Sequence, residues 1–173
     1  MTPPTLVTPR LLLTPHRAED LDALGAIWAD PDVIRYITGK PSSRQESWFR
    51  TLAFAGLWPI LGYGYWAVRE KSSGRFMGDV GFADFARPIE PSIAGIPEAG
   101  WVLASWAHGQ GFATEALSAA LAWLDQQQFD QSVCLINKHH QASLRVAEKT
   151  GFITTAAVTA GLEDTVLLTR NKP

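Results

Sequence analysis

The chain has 173 residues, 46% hydrophobic and 18% charged, with a formal net charge of −2; that length suits one domain, expected over residues 1–173 with its core at about 10–170. No basic stripe suggests a nucleic-acid partner, no apolar run has the length of a membrane span, and the first ten residues lack the basic-then-apolar order of a signal peptide, so a cytoplasmic protein is expected. Cys134 is the single cysteine, which excludes an internal disulfide framework.

The opening RLLLTP (10–15) reads as a short strand closed by proline. Leu21, Leu24, Ile27 and Trp28 then recur three or four apart, one face of a helix. Pro31 restarts the chain, with Val33, Ile34 and Ile37 as a second short turn. Ser43 followed by Glu46 predicts a reciprocal helix start, and Trp48, Phe49, Leu52 and Phe54 give that helix a broad apolar surface. At 63–70 the composition becomes aromatic and β-branched. The turn KSSGR and the run FMGDVGFADF (76–85) make this a hairpin. A loop rich in proline and glycine leads to a third strand in EAGWVLASW. From Gly111 the helical period returns, with Ala113, Ala116, Leu117, Ala120, Leu121 and Leu124 as a stripe to lie on a sheet. SVCLIN (132–137) is a buried strand, QASLRVAEKTGF a helix ended by Gly151, and EDTVLLTR the last strand. The order is β-α-α-β-β-β-α-β-α-β-β, an α/β mixed sheet without repeats.

The stretch WVLASWAHGQGFATEALSAALAWL carries the chemistry. A strand ends, a turn with Gly109 and Gly111 follows, and a helix starts at once. Such a helix end presents unpaired N–H groups and the positive end of the macrodipole, and glycine lets an anion come close. The spacing satisfies neither the dinucleotide fingerprint nor the Gly-Lys-Ser/Thr phosphate loop. The turn therefore reads either as a plain tight connection or as a pyrophosphate cradle.

Four segments in order carry a resemblance: RLLLTPHRAEDLDALGAIWADPDVIRYI, YGYWAVREKSSGRFMGDVGF, HGQGFATEAL and ASLRVAEKTGF. The chain resembles the GNAT acetyltransferase superfamily, and within it the RimJ/RimL branch that acetylates N-terminal and other amines. The resemblance implies a GNAT-like mixed, mostly antiparallel sheet with splayed central strands, flanked by helices. It also implies acetyl-CoA as co-substrate. Trp101, Val102 and Leu103 would pair their backbone with pantetheine, and His108, Gly109, Gln110, Gly111, Phe112, Ala113 and Thr114 would form the pyrophosphate loop. Two residues depart from the family pattern: His108 stands where arginine or glutamine is usual, and His140 where asparagine contacts pantetheine and caps the helix.

The resemblance assigns catalytic roles as well. Ala147 occupies the place of the late-helix tyrosine, so Ser143, which also falls in the cofactor set, is the expected proton donor to the leaving thiolate. Its other reading is a stabiliser of the first helical turn. Glu98 is the expected base, with Asp79 and Asp84 as rivals and water as a further option; it also reads as a solvated strand start. His139 and His140 are adjacent and lack metal-ligand spacing, so no metal is expected, and Cys134 reads as buried filler. The expected activity is direct acetyl transfer to a peptide N-terminus or small-molecule amine, in a monomer or homodimer. The alternative is a non-catalytic acyl-CoA binding or sensing domain. Trp48, Trp58 and Tyr63 are candidate acceptor-pocket walls, or core.

Overall fold

The computed structural model describes residues 2–173. The first strand is double: β1 (Leu6–Val7) pairs antiparallel with β2 (Leu11–Thr14). Only β2 was expected, because a two-residue strand offers no alternation to read. A single 3-10 turn leads into α1 (Leu21–Ile27), which buries Leu24 and Ile27. The short α2 (Pro31–Ile34) starts on its proline, with the Asp30 side chain accepting from the Asp32 N–H. Ile37 lies past that turn and is 45% exposed, not packed as its spacing implied. In α3 (Arg44–Leu61) the predicted reciprocal start is present. The Glu46 N–H donates to Ser43 Oγ at 3.1 Å and the Ser43 N–H to Glu46 Oε2 at 2.6 Å. This helix buries Phe54 and Trp58 and leaves Phe49 and Leu52 largely outside.

The hairpin β3 (Tyr65–Glu70) and β4 (Phe76–Ala83) is followed by β5 (Glu98–Leu103), α4 (Phe112–Leu124), β6 (Gln131–Asn137), α5 (Gln141–Lys149), β7 (Ile153–Ala157) and β8 (Thr165–Asn171). These strands form one sheet in the order β1-β2-β3-β4-β5-β6-β8-β7. Every neighbouring pair is antiparallel except β5 and β6, which run parallel and meet in register only at Glu98 and Val133. Beyond that point the two strands diverge. The expected mixed sheet with splayed central strands is therefore present, and the splay has a definite origin.

The α4 stripe Ala116, Leu117, Ala120, Leu121 and Leu124 is buried against the sheet, as its period required. Beside it Trp58, Trp66 and Trp123 pack edge to face, with centroids 4.7 and 5.3 Å apart. The indole N–H groups of Trp58 and Trp66 donate to the Tyr65 and Pro4 carbonyls at 3.0 and 2.7 Å, so neither is buried unpaired. Two of the three candidate pocket walls are thereby core: Trp58 belongs to this cluster, and Tyr63 packs on Phe129.

Candidate active site

Where β5 and β6 part, a cavity of about 820 Å³ opens. Residues 99–102 of β5 and 134–137 of β6 line its two inner edges. The rest of the wall comes from Trp28, the segment 36–42, α3, the loop after β4 and the start of α5. Trp48 is not part of the wall; the aromatic lining is Trp28, Tyr36, Phe49, Phe54, Tyr65, Phe85 and Trp101. Trp101 and Val102 lie along the opening as expected. Leu103 does not: it is buried, and its carbonyl accepts from the His108 imidazole at 2.9 Å.

The loop after β5 stands outside the cavity wall, at the strand's far end. Gly109 and Gly111 both have left-handed backbone, φ 73° and 81°, which any side chain would strain. Gly111 is the N-cap of α4 and no side chain caps the helix. The N–H groups of Phe112, Ala113 and Thr114 therefore keep their hydrogen-bonding capacity for an anion. His108 turns away from this cradle onto Leu103. A cation reaches the loop by another route: Arg10 Nη1–H donates to the Gln110 carbonyl at 2.9 Å, and the guanidinium lies 4.2 Å over the Phe112 ring.

Glu115, in the first turn of α4, holds that arrangement in place. Its Oε1 accepts from the Thr8 hydroxyl at 2.6 Å and the Arg10 N–H at 2.9 Å, and its Oε2 from Arg10 Nε at 2.7 Å. Burial works against its charge, but the hydrogen bonds from Thr8 and Arg10 outweigh it and hold the carboxyl below its usual range. The partners are about a hundred residues apart in sequence, so no local pattern pointed to them.

At the other side of the opening, His140 is the N-cap of α5 and makes no side-chain capping bond, as its chemistry predicted. Its ring instead stacks on Tyr36, centroids 5.2 Å apart, with Nε2 3.3 Å from Ser143 Oγ. Burial lowers its pKa, and the His108 charge acts in the same direction. His140 and Ser143 both line the cavity. Cys134 does too, as a buried thiol whose pKa burial raises.

The three carboxylates named from sequence have different environments. Glu98 is buried in the cavity wall, and Arg87 grips both its oxygens, Nε to Oε2 at 2.7 Å and Nη2 to Oε1 at 3.0 Å. Asp84 accepts from the Ala86 and Gly95 N–H groups at 2.8 and 3.0 Å and braces the loop after β4. Asp79 is fully enclosed, and neither of its oxygens completes a well-aligned hydrogen bond. His16 Nε2 lies 3.1 Å from Oδ1, and both side chains are 1% exposed. Burial raises the Asp79 pKa to about 8, and the Trp28 indole N–H and the Arg50 charge offset only part of this. Burial lowers His16 to about 4. Both shifts run toward the uncharged form, which a site walled by Phe54 and Phe76 favours.

Tyr65 was not foreseen. It rises from β3 into the cavity wall, where its hydroxyl covers Gly100 so closely that a Cβ there would overlap it. Burial, with the Glu98 charge second, pushes its phenol well above the usual range.

Residues 10–153 match the family model of the acetyltransferase (GNAT) domain. The chain belongs to the GNAT acetyltransferase family. Its sequence is 32% identical over 154 residues to the YkkB protein of Bacillus subtilis strain 168, covering 84% of this chain and 83% of that one. Its fold matches a structure from Bordetella pertussis assigned to the GnaT acetyltransferase family, with TM-score 0.84, 29% identity and 97% and 99% of the two chains covered. It also matches RimL, a ribosomal L7/L12 α-N-protein acetyltransferase solved with coenzyme A, at TM-score 0.77 and 18% identity over 97% and 98%. At that identity the likeness is one of fold. The GNAT domain here is thus an acyltransferase whose divergent strands, glycine loop and bare α4 end stand together. Among its described residues no cluster of His, Cys, Asp and Glu is arranged to hold a metal ion, and no helix is long and apolar enough to cross a membrane.

Proposed function

We propose that this GNAT domain transfers an acetyl group from acetyl-CoA to a primary amine, either a small molecule or a peptide N-terminus. The observation that carries the reading is the meeting of two open polar surfaces. The edges of β5 and β6 separate after a single shared register and line one cavity, and the adjoining α4 begins with no side-chain cap. A linear cofactor with amides at one end and a diphosphate at the other fits that pair of surfaces. The backbone of Trp101 and Val102 would hold the amide portion, and the N–H groups of residues 111–114, with Arg10 beside them, the diphosphate. Bound there, acetyl-CoA supplies an activated thioester.

The chain's own groups supply the proton movements. Ser143 Oγ faces the cavity within reach of His140 Nε2 and serves as donor to the departing sulfur. For the base, the carboxylate with the better chemistry is Asp79. Glu98 has both oxygens committed to Arg87, which suits it to shaping the wall. Asp79, with a pKa near 8, is a stronger base once ionised than an ordinary carboxylate and better matched to an ammonium.

Calorimetric titration with acetyl-CoA, alongside thiol release on pooled amines, tests the reading. Binding with release only when an amine is added is the expected result. Binding without release from any amine would favour an acyl-CoA sensor, and absence of binding would overturn the cofactor assignment.

A further inference from the structure

The cavity wall holds a cation that no carboxylate among the described residues pairs with. Arg50, on α3, is half-buried and lines the wall. Its guanidinium carbon lies over the Trp28 indole, 3.6 Å from the ring centroid. The one hydrogen bond it makes to a side chain is a long one, from Nη1 to Ser42 Oγ at 3.4 Å. No carboxylate among the described residues lies within ion-pair distance of it.

The neighbouring acids are otherwise engaged. Glu98 is held by Arg87, Glu46 closes the start of α3, and Asp79 lies against His16. Glu163 belongs to the loop leading into β8 and forms a different part of the wall. A guanidinium carries five N–H donors in a planar fork that matches a carboxylate, and removing it from water without a partner is costly. Its place over Trp28 anchors the guanidinium by a cation–π contact and leaves N–H donors for a ligand. Burial works against its charge, and Asp79 and Glu46 offset only part of that, neither of them within ion-pair distance. The pyrophosphate cradle at the start of α4 is elsewhere, since none of residues 108–114 lines this cavity.

We propose that the acceptor is an amine bearing a carboxylate on a compact apolar body, of the amino-acid class, with Arg50 as the carboxylate-binding, specificity-determining residue. Trp28 lies against that fork, and Phe49, Phe54 and Phe85 add apolar surface to the same cavity. Polyamines and other multiply cationic acceptors are disfavoured by the same charge. The proposal rests on the acetyl-CoA-dependent reading of the site and specifies its second substrate.

The test compares matched pairs, phenylalanine with phenylalaninamide and leucine with leucinamide, with spermidine as the cationic control. Binding is measured calorimetrically to protein saturated with coenzyme A, so the comparison does not depend on turnover. Each acid is expected to bind at least about tenfold tighter than its amide, the difference a charge-assisted bond can supply. Arg50→Gln should bring the ratio close to one, while Arg50→Lys keeps part of it. In turnover the Arg50→Gln loss should show as a rise in KM for the acids that the amides do not share. Equal or tighter binding of the amides or spermidine, no measurable binding of the acids, or an equal loss for acids and amides in Arg50→Gln would overturn the proposal. Failure of thiol release with every amine would strike the transferase reading instead, and the binding comparison would still decide this one.

Discussion

The enclosed Asp79 sets a stability that depends on pH in a direction opposite to most carboxylates. In the unfolded chain this group has its ordinary pKa of 3.8, and in the fold it is raised to about 8. Between those values the folded protein binds more protons than the unfolded one, so stability falls as pH rises and the contribution is complete only below about 4. His16 acts with the opposite sign between its folded value of about 4 and its ordinary 6.5, where stability rises with pH. From 6.5 to 8 the slope of this pair therefore belongs to Asp79 alone, and its limit is about 1.4 kcal/mol per pH unit. By pH 7 the cost relative to the protonated state is on the order of 4 kcal/mol, given a side chain 1% exposed. Asp79→Asn keeps the shape and removes the titration. Urea unfolding at several pH values from 5 to 8 should show the wild type losing stability across the upper part of that range and the variant losing much less. Asp79→Asn should be the more stable protein at pH 8. If Asp79 and His16 instead form a buried ion pair, the variant would be destabilised by about 3–5 kcal/mol throughout. That outcome would refute the neutral-pair assignment and, with it, the choice of base.

The same carboxyl predicts activity: kcat/KM should rise with pH toward an apparent pKa near 8, and Asp79→Asn should lose that limb and most of the rate, as a pH–rate profile would show. Gly100→Ala drives a methyl into the Tyr65 hydroxyl and should cost about 1–3 kcal/mol in chemical unfolding, with partial recovery in the double variant carrying Tyr65→Phe. Glu115→Gln removes the charge that joins Thr8 and Arg10 to α4; acetyl-CoA affinity should fall about tenfold by calorimetry, while the far-ultraviolet dichroism stays as it was. Ser143→Ala should lower kcat by about 10²-fold with acetyl-CoA affinity unchanged; equal losses in both would reduce Ser143 to a prop for the α5 start.

Much of this architecture could be read from residues close together in the chain. The reciprocal start at Ser43 and Glu46 appears as spelled, because both partners lie within one turn. The α4 stripe lands on the sheet because its period fixes one face. The glycine loop was legible for the same reason. What escaped were contacts made across the chain. Arg10 and Glu115 are 105 residues apart in the chain, and neither is unusual in its own neighbourhood. The pairing of His16 with Asp79 joins the loop after β2 to the middle of β4. Aromatic residues were the hardest to sort, since Trp58 and Phe49 sit in the same helix and differ only in which face the sheet covers. The grip of Arg87 on Glu98 was equally hidden, since Arg87 lies on a loop without regular structure.

The tryptophan arrangement makes the protein its own optical probe. Trp58, Trp66 and Trp123 form a close-packed group that exchanges excitation internally and responds to unfolding. Trp28 and Trp101 border the cavity, and Trp28 carries the Arg50 guanidinium on its face. Emission from that group therefore forms a background, and a ligand that fills the cavity acts first on those two indoles, since Trp48 and Trp106 lie outside its wall. Light absorbed by one native side chain can then time events at the cofactor slot, and the other can time events at the acceptor pocket, without an attached dye.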